Sequence, residues 1–160
     1  MPITSYTTYD DVRAALGVSD QDLGDSTLGL TLYDDALAME LAAVSPTIET
    51  LFASTSAQPS PTDAEKQLLR ATRAFATYVV ARELVPAMRM FAVQQVTDSK
   101  ASMSRFKDPL AQLAKDIEKK YQLAKDALVA ALTGVVGQAL PSTPRQYLYV
   151  VSPSYDPVTG

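Results

Sequence analysis

The sequence predicts an all-α helical bundle with two long helices and an extended C-terminal arm. Three observations predict it. No glycine occurs between Gly29 and Gly134, a stretch of about a hundred residues rich in alanine and leucine. Within that stretch apolar residues recur at helical spacing. From Gly134 onward the helical pattern stops, and Pro141, Pro144, Pro153 and Pro157 flank the run Gln146 to Val151. The division expected is therefore a helical body over 1–133 and an arm over 134–160.

Each element has its own local cause. Thr8 can cap a short first helix, with Asp11 three residues on and Gly17 just past its end. Its apolar positions are Val12, Ala15 and Leu16. Ser19 to Gly24 is a polar turn. A second helix is expected over Leu30 to Val44, with Leu30, Tyr33, Leu37, Leu41 and Val44 on one face and Asp34, Asp35 and Glu40 off it. Ser45-Pro46 restarts a short helix, Ser45 as cap and Pro46 at the first helical position, carrying Ile48, Leu51 and Phe52. Ser54 to Pro61 reads as a small, polar loop.

The third helix starts at Ser60-Pro61 or at Thr62, where Thr62 and Glu65 fit a capping box. Its second half, Ala74 to Ala81, is apolar on every side, so neighbours must bury it all round. This is the expected central helix, ending near Leu84 because Pro86 constrains Val85. Met88 to Lys107 alternates weakly, with Asp98-Ser99 as a candidate cap. Asp108-Pro109 opens the last helix, which is expected to run to about Thr133. Leu110, Leu113, Ala114, Ile117, Tyr121, Ala124, Leu128, Ala131 and Leu132 form its core stripe. Leu123, Ala127, Val129 and Ala130 fall outside that stripe and point to a second partner.

The arm has a different character. Tyr147, Leu148, Tyr149, Val150 and Val151, followed by Tyr155, are aromatic or β-branched in a density that favours a strand. Nothing else in the chain reads as a strand to pair with it. A lone strand leaves its backbone donors and acceptors unpaired, so it is expected to dock on another chain by strand addition.

Composition narrows the chemistry. The chain lacks cysteine, histidine and tryptophan. That removes disulfides, thiolate nucleophiles, the commonest general base and the commonest metal ligand. The serines sit beside prolines in loops, where capping accounts for them. Asp10-Asp11 and Asp34-Asp35 are adjacent on helices and so point about 100° apart, a poor arrangement for clamping a metal. No glycine-rich phosphate loop occurs. We therefore expect no catalytic residue, no metal and no cofactor, and a role that is not enzymatic. No leader peptide and no apolar run of membrane-spanning length is apparent in the sequence, so a soluble cytoplasmic product is expected.

The formal net charge of −4 hides an asymmetry. Residues 1–60 carry nine acids and one base, whereas residues 61–133 carry eight acids and twelve bases. The two regions either form separately solvated surfaces or bring an acidic face of one copy against a basic face of the next. Two basic sets stand out. Lys66, Arg70 and Arg73 share one helix face, and Lys100, Arg105 and Lys107 flank Met103 and Phe106. Either set could meet a phosphate backbone without reading bases, or simply lie solvated.

The segment Tyr9-Asp10-Asp11-Val12-Arg13-Ala14-Ala15-Leu16-Gly17-Val18, the acidic turn after it and the long helix after Pro61 resemble the head–tail adaptor proteins of tailed bacteriophages, also called connectors or head-completion proteins. The stretch Val96 to Pro109, with Arg105-Phe106 ahead of the last long helix, is similar too, although Ser99 stands where that family usually has glycine. The resemblance covers roughly residues 6–133. It implies a homo-oligomeric ring, typically of about twelve copies, bound beneath the portal protein of the virion and continuing the DNA channel. It also implies a tail or nozzle protein attached below, synthesis in the host cytoplasm, and a C-terminal arm that grips portal or neighbouring subunits. The competing expectation is a small helical DNA-binding or regulatory protein that uses Lys66, Arg70 and Arg73.

Overall fold

The computed structural model describes residues 1–91 and 109–139, and every regular element among them is helical. A 3-10 turn over Ile3–Ser5 leads into α1 (Tyr9–Leu16), α2 (Asp25–Leu28), α3 (Thr31–Val44) and α4 (Ile48–Ser56). Two long helices follow, α5 (Asp63–Phe91) and α6 (Pro109–Ala139). At 1.5 Å per residue they are about 44 and 46 Å long. They run antiparallel, because Phe75 stacks on Tyr121 while Ala71, four residues earlier, shares a groove with Ala127 and Ala131.

The caps explain the boundaries. Thr8 Oγ1 accepts the Asp11 N–H at 3.1 Å while Asp11 receives the Thr8 N–H in return. Gly17 closes α1 at φ 70°, a left-handed conformation that costs glycine little. Thr62 and Glu65 repeat the reciprocal cap at α5: the Thr62 N–H donates to Glu65 at 2.7 Å and the Glu65 N–H to Thr62 Oγ1 at 3.3 Å.

Helix α5 is the centre of the fold, touched by α1, α3, α4 and α6. Phe75, Ala76, Val79, Val80 and Ala81 have no solvent exposure. On α6 the inward positions are Ile117, Tyr121, Ala124, Leu128 and Leu132, within the stripe expected from sequence. The N-terminal segment completes the core. Ile3, Tyr6, Val12 and Leu16 are buried, and the Thr7 hydroxyl donates across to Thr77 at 2.7 Å, since the Thr77 hydroxyl itself donates to the Arg73 carbonyl. The Ile3 N–H donates to Asp34 at 2.7 Å, which ties the chain start to α3.

Several boundaries differ from the sequence expectation. Helix α5 continues through Pro86 to Phe91 instead of ending near Leu84. An internal proline costs about 3 kcal/mol, but Leu84 and Val85 on the preceding turn are buried and Met88 packs on the core, which offsets it. Helix α6 runs on through Gly134 and Gly137 to Ala139, past the expected end at Thr133 and past the expected start of the arm. Each glycine costs about 1 kcal/mol in a helix. Leu132 and Val135, packed against the core, carry the helix across them.

Helix α4 begins at Ile48, two residues later than the Ser45-Pro46 signal, because Ser45 to Ile48 forms a turn closed by Ile48 N–H to Ser45 carbonyl at 3.2 Å. It then absorbs Ser54 to Ser56, expected as loop. Thr55 is buried there, and the Ser54 and Ser56 hydroxyls bond back to carbonyls three residues earlier. Leu30, expected on the buried face of α3, is instead its exposed N-cap. The candidate caps Asp98-Ser99 and Asp108, and the alternating stretch from Ala92 to Lys107, lie outside the described residues.

Candidate interaction surfaces

Three features of the surface and its margins stand out: a basic stripe on α5, an ionic clip between α3, α5 and α6, and two uncovered apolar faces. The stripe is where the sequence placed it. Lys66, Arg70 and Arg73 are exposed on α5. Lys66 Nζ lies 3.2 Å from Asp63, an exposed pair of little energetic weight. Arg70 and Arg73 form no ion pair with any described residue, so both guanidinium groups remain available to a partner. Lys100, Arg105 and Lys107, the second basic set, lie outside the described residues. So do the arm residues Tyr147, Leu148, Tyr149, Val150, Val151 and Tyr155.

The clip was missed by helical-wheel reasoning, which put Glu40 on the solvent side. Arg82 donates to one Glu40 oxygen at 2.6 Å, and the Tyr121 hydroxyl donates to the other at 2.8 Å. The guanidinium also lies 4.1 Å from the Tyr121 ring centroid, within cation–π range. Burial opposes the Glu40 charge, but hydrogen bonds from Tyr121 and Arg82, with the Arg82 charge, outweigh it and hold the carboxyl below its ordinary value. Burial likewise opposes the Arg82 charge, and Glu40 outweighs it in turn, so the guanidinium is held more firmly protonated. Burial first, and then the bond to Glu40, push the Tyr121 phenol up. The sequence offers Arg82 a neighbouring counter-charge in Glu83, which it also meets at 3.3 Å, and so carries no signal of the partner on α3.

A second clip holds the acidic turn. The Arg13 side chain is nearly enclosed; it pairs with Asp10 at 2.7 Å and with Asp25, and its Nε donates to the Leu23 carbonyl at 2.8 Å. This pins the loop between α1 and α2 onto the body. Asp11, Asp20, Asp22 and Asp35 are exposed, whereas Asp34, Glu40 and Glu49 are half-buried.

The apolar faces are on α3 and α6. On α3, Leu32 and Met39 are 67% and 70% exposed, with Ala36 and Ala43 on the same side. On α6, Leu123 is 60% exposed, and Val129 and Val136 are also open. Ala127, Ala130 and Ala131 line a groove of about 510 Å³ against Gln67, Arg70 and Ala71 of α5. A side chain added at Gly134 or Gly137 would meet nothing within 4 Å. The sequence had already set Leu123, Ala127, Val129 and Ala130 apart from the core stripe, and the structure leaves all four exposed.

No single described helix is long and apolar enough to cross a membrane. Helices α3 and α4 together reach that composition, but they bend by 101° at their junction and bury Tyr33, Leu37, Leu41, Ile48 and Phe52 in the core. Among the described residues, no group of three or more acidic side chains gathers closely enough to hold a metal ion. Comparison with protein-family models, with curated proteins and with solved structures finds no match to this chain.

Proposed function

We propose that the chain is a structural virion protein: a head–tail adaptor that forms a homo-oligomeric ring, joins the portal vertex to the tail and continues the DNA channel. The observation that carries this reading is the pair of uncovered apolar faces on α3 and α6. Grouped exposed apolar side chains on a small helical body mark contact with other protein. The resemblance of residues 9–18 and 96–109 to phage adaptors supplies the kind of assembly. In that setting the acidic first third of one copy lies beside the basic helices of the next, and residues 147–151 add a strand to the portal or to a tail or nozzle protein.

Two tests bear on it. Charge reversal at Arg70 and Arg73 is expected to weaken assembly on the portal ring, and raised salt to reproduce the effect in the natural chain. Assembly insensitive to both would remove charge steering from the mechanism. Deleting residues 141–160 is expected to leave the helical spectrum unchanged and to abolish stable attachment to the portal or to the tail protein. Full-strength co-assembly by the truncated chain would remove the arm from the contact.

The competing reading is a small DNA-binding protein acting through Arg70 and Arg73, whose unpaired guanidinium groups favour it. It requires tight binding of the isolated chain to short duplex DNA, weakening steeply with salt.

A further inference from the structure

The α3 face projects large side chains, whereas the α5–α6 groove is lined on α6 by small ones. On α3, Leu32, Ala36, Met39 and Ala43 follow a 4-3-4 spacing, the seam spacing of packed helices, with Leu32 and Met39 as large projecting side chains. On α6, Leu123, Ala127, Ala130, Gly134 and Gly137 follow a 4-3-4-3 spacing, and from Ala127 onward every position is small. Leu32 and Met39 are separated by seven residues, as are Ala127 and Gly134, so each pair is about 10.5 Å apart along its helix. Two projecting side chains therefore match two gaps.

Charge agrees with shape. The depression beside Met39 is lined by Glu40 and Glu83, which share the one Arg82 guanidinium, and Asp35 is exposed on α3, so acid exceeds base there. Arg70 lines the α5–α6 groove without an ion-pair partner among the described residues, and Lys119 and Lys120 at its Leu123 end stand among Asp116, Glu118 and Asp126.

The two surfaces cannot meet within one chain. Tyr121 points toward α3, where it bonds Glu40. Leu123 lies two residues on and so points about 200° away. On α3 the same step separates buried Leu37 from exposed Met39.

We infer that these are the two halves of one head-to-tail interface between copies of this chain, α3 of one copy seating Leu32 and Met39 in the α5–α6 groove of the next. Such a heterologous contact leaves a free half at each end of a dimer and closes only as a ring, or continues as a filament. The inference rests on the ring reading for its choice of a second copy as the occupant.

The natural absence of cysteine makes the test clean. Met39→Cys and Ala130→Cys change exposed side chains and leave the core intact. With a short bis-maleimide linker, the full chain carrying both substitutions is expected to give a ladder of linked multimers. A mixture of the two single variants is expected to give one linked dimer, and neither single variant alone is expected to link to itself. Adding Ala127→Trp to the doubly substituted chain is expected to remove the ladder while the helical spectrum and melting temperature hold. Self-linking of either single variant would show a two-fold contact and overturn the inference. So would absence of the ladder, or its persistence with tryptophan at 127. Failure of the adaptor reading looks different: the ladder forms, but the chain does not engage a portal ring.

Discussion

Val79→Asp is expected to abolish the folded state, and Ala76→Asp to do the same. Both positions are fully buried on α5, the helix against which α1, α3, α4 and α6 all pack. A carboxylate there must either keep its charge in an apolar surrounding or take up a proton, and each route costs several kcal/mol. Domains of this size are held by only about 5–15 kcal/mol in total. Loss of the far-UV helical signal, or of any cooperative melt, is the expected readout. A variant that melts like the natural chain would mean that the side chain at 79 does not face the core.

Breaking the ionic clip is the second large effect. Arg82→Met leaves the partly buried Glu40 carboxylate with Tyr121 as its remaining partner in the clip. The expected loss is about 2–4 kcal/mol, or roughly 5–12 °C in Tm. Glu40→Gln leaves Arg82 its second pair with the more exposed Glu83 at 3.3 Å and is expected to cost less than Arg82→Met. Replacing both residues by methionine is expected to cost less than the sum of the two, since no charge is then left buried alone.

The pH dependence has a definite sign. Glu40 is held below its ordinary value of about 4.5 in the folded chain, so it binds a proton more readily when unfolded. Its contribution is complete above that value and is lost as pH falls through the lower folded-state value. The stability gap between natural chain and Glu40→Gln, measured by urea denaturation, is therefore expected to be full at pH 7 and to shrink in acid. A gap that stays constant into strong acid would show that packing, not charge, holds the three helices there.

What could be read from the sequence follows from how local each cause is. Thr8 with Asp11, Thr62 with Glu65, and Gly17 act within one turn of chain, and all three sit where the sequence put them. The stripe from Leu110 to Leu132 was legible because one helix has one core-facing side, and its members from Leu113 on pack in or against the core. The misses are places where contacts between elements overrule local preference. Pro86 and Gly134 read as stops, yet buried Val85 and Leu132 on the preceding turns hold the helices together across them. The Glu40–Arg82–Tyr121 clip joins residues 42 and 81 positions apart, a spacing no periodicity can reveal. The opening Ile3 and Tyr6 carry no local signal of burial, because their partners, Asp34 and Phe52, come from α3 and α4. Of the candidate surfaces, the sequence found the basic stripe and the outer face of α6. It did not find the exposed face of α3, because Leu32 and Met39 are ordinary core residue types and only the packing shows which side of the helix is left open.

Whether the chain is a ring-forming adaptor is most directly settled by electron microscopy of the purified chain mixed with a cognate phage portal ring, which an adaptor of this kind requires. A closed ring of this chain, stacked coaxially on one end of the portal with a continuous central channel, is the expected image. Portal rings that remain bare, with the chain free as monomers at concentrations that saturate ordinary protein interfaces, would contradict it.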